Sequence, residues 1–123
     1  MINCRILLVD DDPLVRKTLK NILESRTFKV AQAESAVKAR EILKTQNFDI
    51  LITDHQMPGL SGEELIVLSL RDHPDLLCIL ISGNRMTSTL KLSDRVCFLE
   101  KPFGIEDILE KINSYSFKQT KDR

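Results

Sequence analysis

No tryptophan occurs in the 123 residues, so intrinsic fluorescence is a poor probe of this chain. Charge of neither sign is in excess, since 18 Lys and Arg balance 18 Asp and Glu. That balance offers no footprint for nucleic acid or for an anionic membrane surface. A run of about 18 apolar residues is also missing, which excludes a membrane-spanning helix. The first apolar stretch, Ile6 to Val9, runs directly into acid and does not read as a signal peptide. The chain therefore reads as cytoplasmic. Its three cysteines form no C-x-x-C pair. Cys78 and Cys97 stand inside the apolar runs "LLCILIS" and "VCFLE", the setting of buried structural thiols. His55 and His73 are isolated, with no spacing for zinc. Neither G-x-x-x-x-G-K-[ST] nor G-x-G-x-x-G is present, which excludes two common nucleotide loops. What remains is one domain, long enough to bury a core without disulfide or metal staples.

Five short apolar runs recur: "RILLVD" (5–10), "FKVAQA" (28–33), "DILITD" (49–54), "LCILIS" (77–82) and "VCFLE" (96–100). Three are nearly continuous in Ile, Leu and Val, the composition of central parallel strands covered on both faces. The second carries Lys29 and Gln32 and reads as an edge strand. Helical spacing fills the gaps. Pro13 suits a first helical turn with Asp12 as N-cap, and Leu14, Val15, Leu19, Ile22 and Leu23 share a face. "SAVKAREILK" (35–44) opens on a Ser35 cap and aligns Ala36, Ala39 and Leu43. Ser61 and Glu64 have capping-box spacing. A last helix from about Ile105 aligns Ile105, Ile108, Leu109 and Ile112. Alternating strand and helix predict an α/β fold, with a parallel sheet, helices on both faces and right-handed crossovers.

Such sheets bind ligands at the carboxyl ends of their strands, where the strand order reverses. The first strand ends in "VDDDP", three consecutive carboxylates that raise one another's pKa unless a positive charge is near. Asp12 serves as a cap. Asp10 and Asp11 remain, and the other strand ends add Asp54, Ser82 and Lys101. Three carboxylates suit a hard cation such as Mg²⁺, which is held by one or two carboxylates together with phosphate oxygens. Asp54 is a candidate nucleophile, since a carboxylate can form an acyl-phosphate. Ser82 can donate to one phosphoryl oxygen and Lys101 can pair with another as a point charge. Phosphoryl transfer needs little more, because it is mostly positioning and charge stabilisation.

With "VDDDP", "DILITDHQMPGLSG", "LISG" and "EKPF" in this order and spacing, residues 4 to 114 resemble the receiver domain of bacterial two-component response regulators. The resemblance implies a five-stranded parallel sheet in the flavodoxin-like order 2-1-3-4-5. It places the domain at residues 1–115, with 116–123 a polar tail or the start of a linker. It implies that Asp54 accepts a phosphoryl group from the phosphohistidine of a sensor histidine kinase or phosphotransfer protein. The metal would be Mg²⁺, with Mn²⁺ as a substitute, held by Asp10, Asp11, Asp54 and the backbone carbonyl of Gln56. Ser82 and Lys101 match the family's switch hydroxyl and its lysine, and a cis peptide is expected before Pro102. Phe98 matches an aromatic that swings inward with the hydroxyl, although an apolar strand residue is as readily plain core. Gln56 and Asn84, both neutral amides, match positions that modulate water attack on the acyl-phosphate. His55, beside the acceptor, is expected to point away from the site. Gly59 and Gly62 read as turn devices that let the loop after Asp54 pass close by, and Gly83 as an opening for the phosphoryl group.

The segment "GNRMTSTLKLSDR" (83–95) departs from the family pattern. It is short, lacks an alanine-rich helix, and has only Leu90 and Leu92 to define an apolar stripe. The fourth helix is therefore expected to be short or irregular, and the chain a monomer or a weak phosphorylation-dependent dimer. The end, "NSYSFKQTKDR", leaves no room for a DNA-binding domain, so no nucleic-acid contact is expected and the output protein stays open. The start "MINCR" favours a free-standing regulator or an N-terminal receiver over one carried inside a hybrid sensor kinase. Two rival readings are weaker. A haloacid-dehalogenase-type phosphatase needs a second Asp two residues after its nucleophile, where Gln56 stands, and places that nucleophile after the first strand. A binding-only receiver typically loses an acid, the acceptor or the lysine, and none is lost here.

Overall fold

The computed structural model describes residues 4–83 and 94–121, and the side chains of 4–83 and 94–114. The chain runs β1 (Arg5–Val9), α1 (Pro13–Ser25), β2 (Lys29–Ala33), α2 (Ala36–Thr45), β3 (Ile50–Asp54), α3 (Gly62–Asp72), β4 (Leu77–Ser82), β5 (Val96–Glu100) and α4 (Ile105–Lys121). All strand pairs are parallel, in the order β2-β1-β3-β4-β5. This is the flavodoxin-like arrangement, with β2 at one edge as Lys29 and Gln32 predict. The order reverses between β1 and β3, so the crevice of the fold opens at the ends of those two strands.

The pleat divides the core into two layers, because successive side chains point to opposite faces. Leu7, Val9, Leu51, Cys78 and Leu80 meet Ala36, Ala39 and Leu43 of α2 and Leu65 and Ile66 of α3. Ile6, Leu8, Ile50, Ile52, Ile79 and Ile81 meet Leu23 of α1 and Ile108 and Ile112 of α4. Both faces of β3 and β4 are covered, which is why these strands read as continuous Ile, Leu and Val.

Helices α1, α2 and α3 each start at a capping side chain. Asp12 accepts from the amides of Leu14 (2.9 Å) and Val15 (3.4 Å), and Ser35 accepts from the amide of Lys38. Ser61 and Glu64 satisfy each other's backbone amides in a complete capping box. Helix α4 starts at Ile105 as its spacing predicts. It continues to Lys121, into the stretch that the sequence reads as a polar tail. The short or irregular fourth helix expected between β4 and β5 lies outside the described residues, as does Asn84.

Cys4 and Cys78 are buried, and burial pushes their thiols up to about 11 and about 12. Both should resist iodoacetamide at neutral pH while the chain is folded and react once it is denatured, as intact mass would report. Cys97, expected to be buried, is only half-buried, because β5 is an edge strand. Among the described residues, no helix is long and apolar enough to cross a membrane.

Candidate functional site

Four strands deliver the site. β1 leads into Asp10 and Asp11, β3 ends on Asp54, β4 ends on Ser82, and the residue after β5 is Lys101. Asp10, Asp54 and Ser82 are 5 %, 9 % and 6 % exposed, polar groups buried at the rim of an aliphatic sheet. Asp10, Asp11 and Asp54 each bring a carboxylate oxygen within 4.8 Å of the other two. Lys101 Nζ lies 3.2 Å from Asp54 Oδ1. The lysine is aimed inward by the end of β5, where its amide donates to the Ser82 carbonyl at 2.8 Å. The Lys101–Pro102 peptide is cis.

Charge in this cluster is under tension. Burial raises the Asp10 pKa above its ordinary value, and the Asp54 and Asp11 carboxylates push it the same way. The Asp12 amide, which donates to Asp10 Oδ1 at 2.9 Å, and the Lys101 charge oppose the shift. Three hard oxygen donors that repel one another suit a divalent cation, whose charge relieves the repulsion. The folded carboxyl of Asp10 holds its proton more tightly than the unfolded one. Its contribution to stability is therefore present at low pH and lost as pH rises through the raised value. In metal-free buffer, Asp10→Asn should accordingly be more stable than the wild type, by a margin that grows through that pH window and then levels off. Mg²⁺ at a hundredfold excess over its Kd should stabilise the wild type by about 2.7 kcal/mol and Asp10→Asn far less, as thermal melts would show.

The loop after Asp54 closes on itself. The His55 amide donates to the Ile81 carbonyl (2.8 Å), and the Gly62 amide donates back to the His55 carbonyl (3.1 Å). The His55 imidazole hydrogen-bonds the Glu63 carboxylate of α3. Gly59 has a φ of 81°, the left-handed turn a glycine favours. Gly62 is tighter still, since a Cβ there would sit 2.1 Å from the Asp54 carbonyl oxygen. At Gly83 an added Cβ would meet nothing within 4 Å. Gln56, two residues after Asp54, is exposed. Phe98, in the middle of β5, is half-buried against the layer shared with α2 and α3.

A family model described as the response regulator receiver domain matches residues 6–113. The chain belongs to this family. The receiver domain is 34 % identical over 118 residues to the response regulator MprA of Mycobacterium ulcerans (strain Agy99), covering 89 % of this chain and 49 % of that protein. It is 31 % identical to the sensor kinase CckA of Brucella abortus (strain 2308), covering 93 % of this chain and 13 % of that protein. The chain thus spans about half the length of MprA and a small part of CckA. Among solved structures, the Thermotoga maritima response regulator TrrA in complex with Mg²⁺ and BeF superposes with a TM-score of 0.82 at 28 % identity, covering 91 % of this chain and 98 % of that one. TrrA has also been solved in complex with the histidine kinase ThkA, with a TM-score of 0.80, 28 % identity, and 91 % and 97 % coverage.

Three contacts of the receiver domain are not legible in its motifs. Arg16 donates from Nη1 to the Asp10 carbonyl at 2.7 Å and from Nε to Gln32 Oε1 at 3.1 Å. Glu63 partners His55. Helical spacing places Arg16 four residues after the Asp12 cap. Its main target, however, is a backbone carbonyl, which no pattern of side chains announces.

Proposed function

We propose that this receiver domain is a phosphorylation-activated switch in a two-component relay, with Asp54 as the acceptor. The observation that carries this reading is the Asp54 carboxylate, 9 % exposed, 3.2 Å from Lys101 Nζ and grouped with the carboxylates of Asp10 and Asp11. An Asp54 oxygen attacks phosphorus, the P–N bond of a kinase or phosphotransfer-protein phosphohistidine breaks, and a P–O bond to Asp54 forms. Asp10, Asp11, Asp54 and the Gln56 backbone carbonyl would hold Mg²⁺, or Mn²⁺ in its place. The bound ion supplies positive charge to the phosphoryl oxygens during transfer. Lys101 balances a further oxygen as a point charge and stays within reach because β5 delivers it to the rim. Ser82 donates its hydroxyl to the phosphoryl group, and Phe98 follows that movement. Gln56 and Asn84, both neutral amides, stand at the positions that modulate how water reaches the acyl-phosphate, where they offer hydrogen bonds but no charged base.

The domain occupies residues 1–115, and 116–123 begin a tail or linker. It acts in the cytoplasm, as a free-standing regulator or as the receiver of a longer chain such as a hybrid kinase. The only chemistry it catalyses is its own phosphorylation and dephosphorylation. Incubation with acetyl phosphate and Mg²⁺, followed by intact-protein mass, tests the proposal. One added phosphoryl group that disappears with a chelator is the expected result. No gain from acetyl phosphate or from phosphohistidine kinases, with the fold intact, would leave a binding-only receiver.

A further inference from the structure

The Asp10–Asp11 turn is pinned from three sides. The Asp10 amide donates to the Ala33 carbonyl of β2 at 3.2 Å, the Asp12 amide donates to Asp10 Oδ1 at 2.9 Å, and Arg16 Nη1 donates to the Asp10 carbonyl at 2.7 Å. The last contact falls on the peptide that joins the two acids. Because β1 ends at Val9, that carbonyl lies beyond the sheet ladder. The plane of this peptide sets the direction in which Asp11 leaves the strand, and Asp11 itself is exposed. Arg16 is in turn oriented from α1 by Gln32 Oε1 of β2, which accepts from its Nε at 3.1 Å. Two acceptors on two elements use the rigid fork of a guanidinium, which a lysine cannot reproduce.

Electrostatics alone argues against a guanidinium here, since a fixed positive charge beside a divalent-cation site repels the ion. Its value must then lie in geometry. We propose that Arg16 is a positioning residue for the metal site: by holding the Asp10–Asp11 peptide against α1 and β2, it keeps both carboxylates converging with that of Asp54. It touches neither the ion nor the phosphoryl group and acts through the two acids. This inference rests on the reading of Asp10, Asp11 and Asp54 as metal ligands.

The two roles available to Arg16 predict effects of opposite sign. Mg²⁺ affinity, measured by calorimetry at fixed ionic strength on folded protein, should weaken about tenfold in Arg16→Ala, the scale typical of partners that orient metal ligands. Arg16→Lys keeps the charge and loses the fork, and should remain several-fold weaker than wild type. Affinity that is unchanged or tighter in Arg16→Ala, as charge removal alone predicts, overturns the proposal. Thermal melts without Mg²⁺ identify the folded variants. If Arg16→Ala does not fold, Gln32→Ala, which removes only the second anchor of the guanidinium, decides instead. A rise in Kd of a few-fold then supports the proposal and no change refutes it. A wild type that binds no Mg²⁺ overturns the metal-site reading and this inference together. Normal wild-type binding with an unaffected Arg16→Ala overturns this inference alone.

Discussion

Asp54→Asn should stay at its unmodified mass under conditions in which the wild type gains one phosphoryl group. The substitution keeps the size and shape of the side chain at a position that is 9 % exposed, so packing around the end of β3 is preserved. It removes the nucleophile, because a neutral amide does not displace a phosphoryl donor. It also removes the charge that faces Lys101 Nζ at 3.2 Å. The loss should be complete rather than partial, since Asp10 and Asp11 are used as metal ligands in the proposed arrangement and, among the described residues, Lys101 pairs with Asp54. Lys101→Ala separates the two effects. It leaves the nucleophile in place and removes one source of positive charge, which should slow phosphorylation on the order of 10²-fold without abolishing it. Time courses of intact mass with acetyl phosphate and Mg²⁺ read both variants. A full mass gain in Asp54→Asn would move the acceptor to another residue.

Much of this structure is legible in the chain because one physical signal sits on another. β3 and β4 are Ile- and Leu-rich because helices cover both faces, and Gln32 and Lys29 mark β2 as an edge for the opposite reason. Asp12, Ser35 and Ser61 announce helix starts because each satisfies amides that the helix cannot satisfy itself. The rim acids and Lys101 are visible because their polarity ends apolar runs. Other features are hidden for equally physical reasons. The hold of Arg16 on Asp10 is a side-chain bond to backbone, and the pairing of His55 with Glu63 depends on how α3 folds back over the loop. The half-burial of Cys97 follows from the position of β5 at the sheet edge, which the apolar run "VCFLE" does not reveal. Helix α4 runs past Ile112 to Lys121, into 116–123, which the polar and basic end of the sequence marks as a tail.

Gly62→Ala should destabilise the fold by about 3 kcal/mol or more, although alanine is the better helix former by about 1 kcal/mol. Gly62 is the first residue of α3, and its φ lies outside the left-handed region, so an alanine there is free of backbone strain. The obstacle is space. The new Cβ would lie 2.1 Å from the Asp54 carbonyl oxygen, 3.0 Å from its carbonyl carbon and 3.0 Å from Leu80 Cδ1. A flexible side chain could yield at such a distance, but the nearest atom belongs to the backbone of β3, a central strand flanked by β1 and β4. The same carbonyl accepts the Thr53 hydroxyl at 3.0 Å, a bond that would be strained by any shift. Relief must come from moving α3 outward or from turning the Asp54 peptide. The first loosens the Ser61–Glu64 capping box and the packing of Leu65 and Ile66, while the second redirects the Asp54 side chain. Gly83→Ala is the matched control, also beside the site, where the added Cβ meets nothing, and it should change stability by less than about 0.5 kcal/mol. Denaturant unfolding followed by far-UV circular dichroism suits a chain without tryptophan and gives both values. The folded fraction of Gly62→Ala should also take up phosphoryl groups more slowly than the wild type. Equal stability of the two variants would mean that α3 can draw back from β3 at no cost, and the close approach of helix to the Asp54 backbone would then not be what requires glycine at this position.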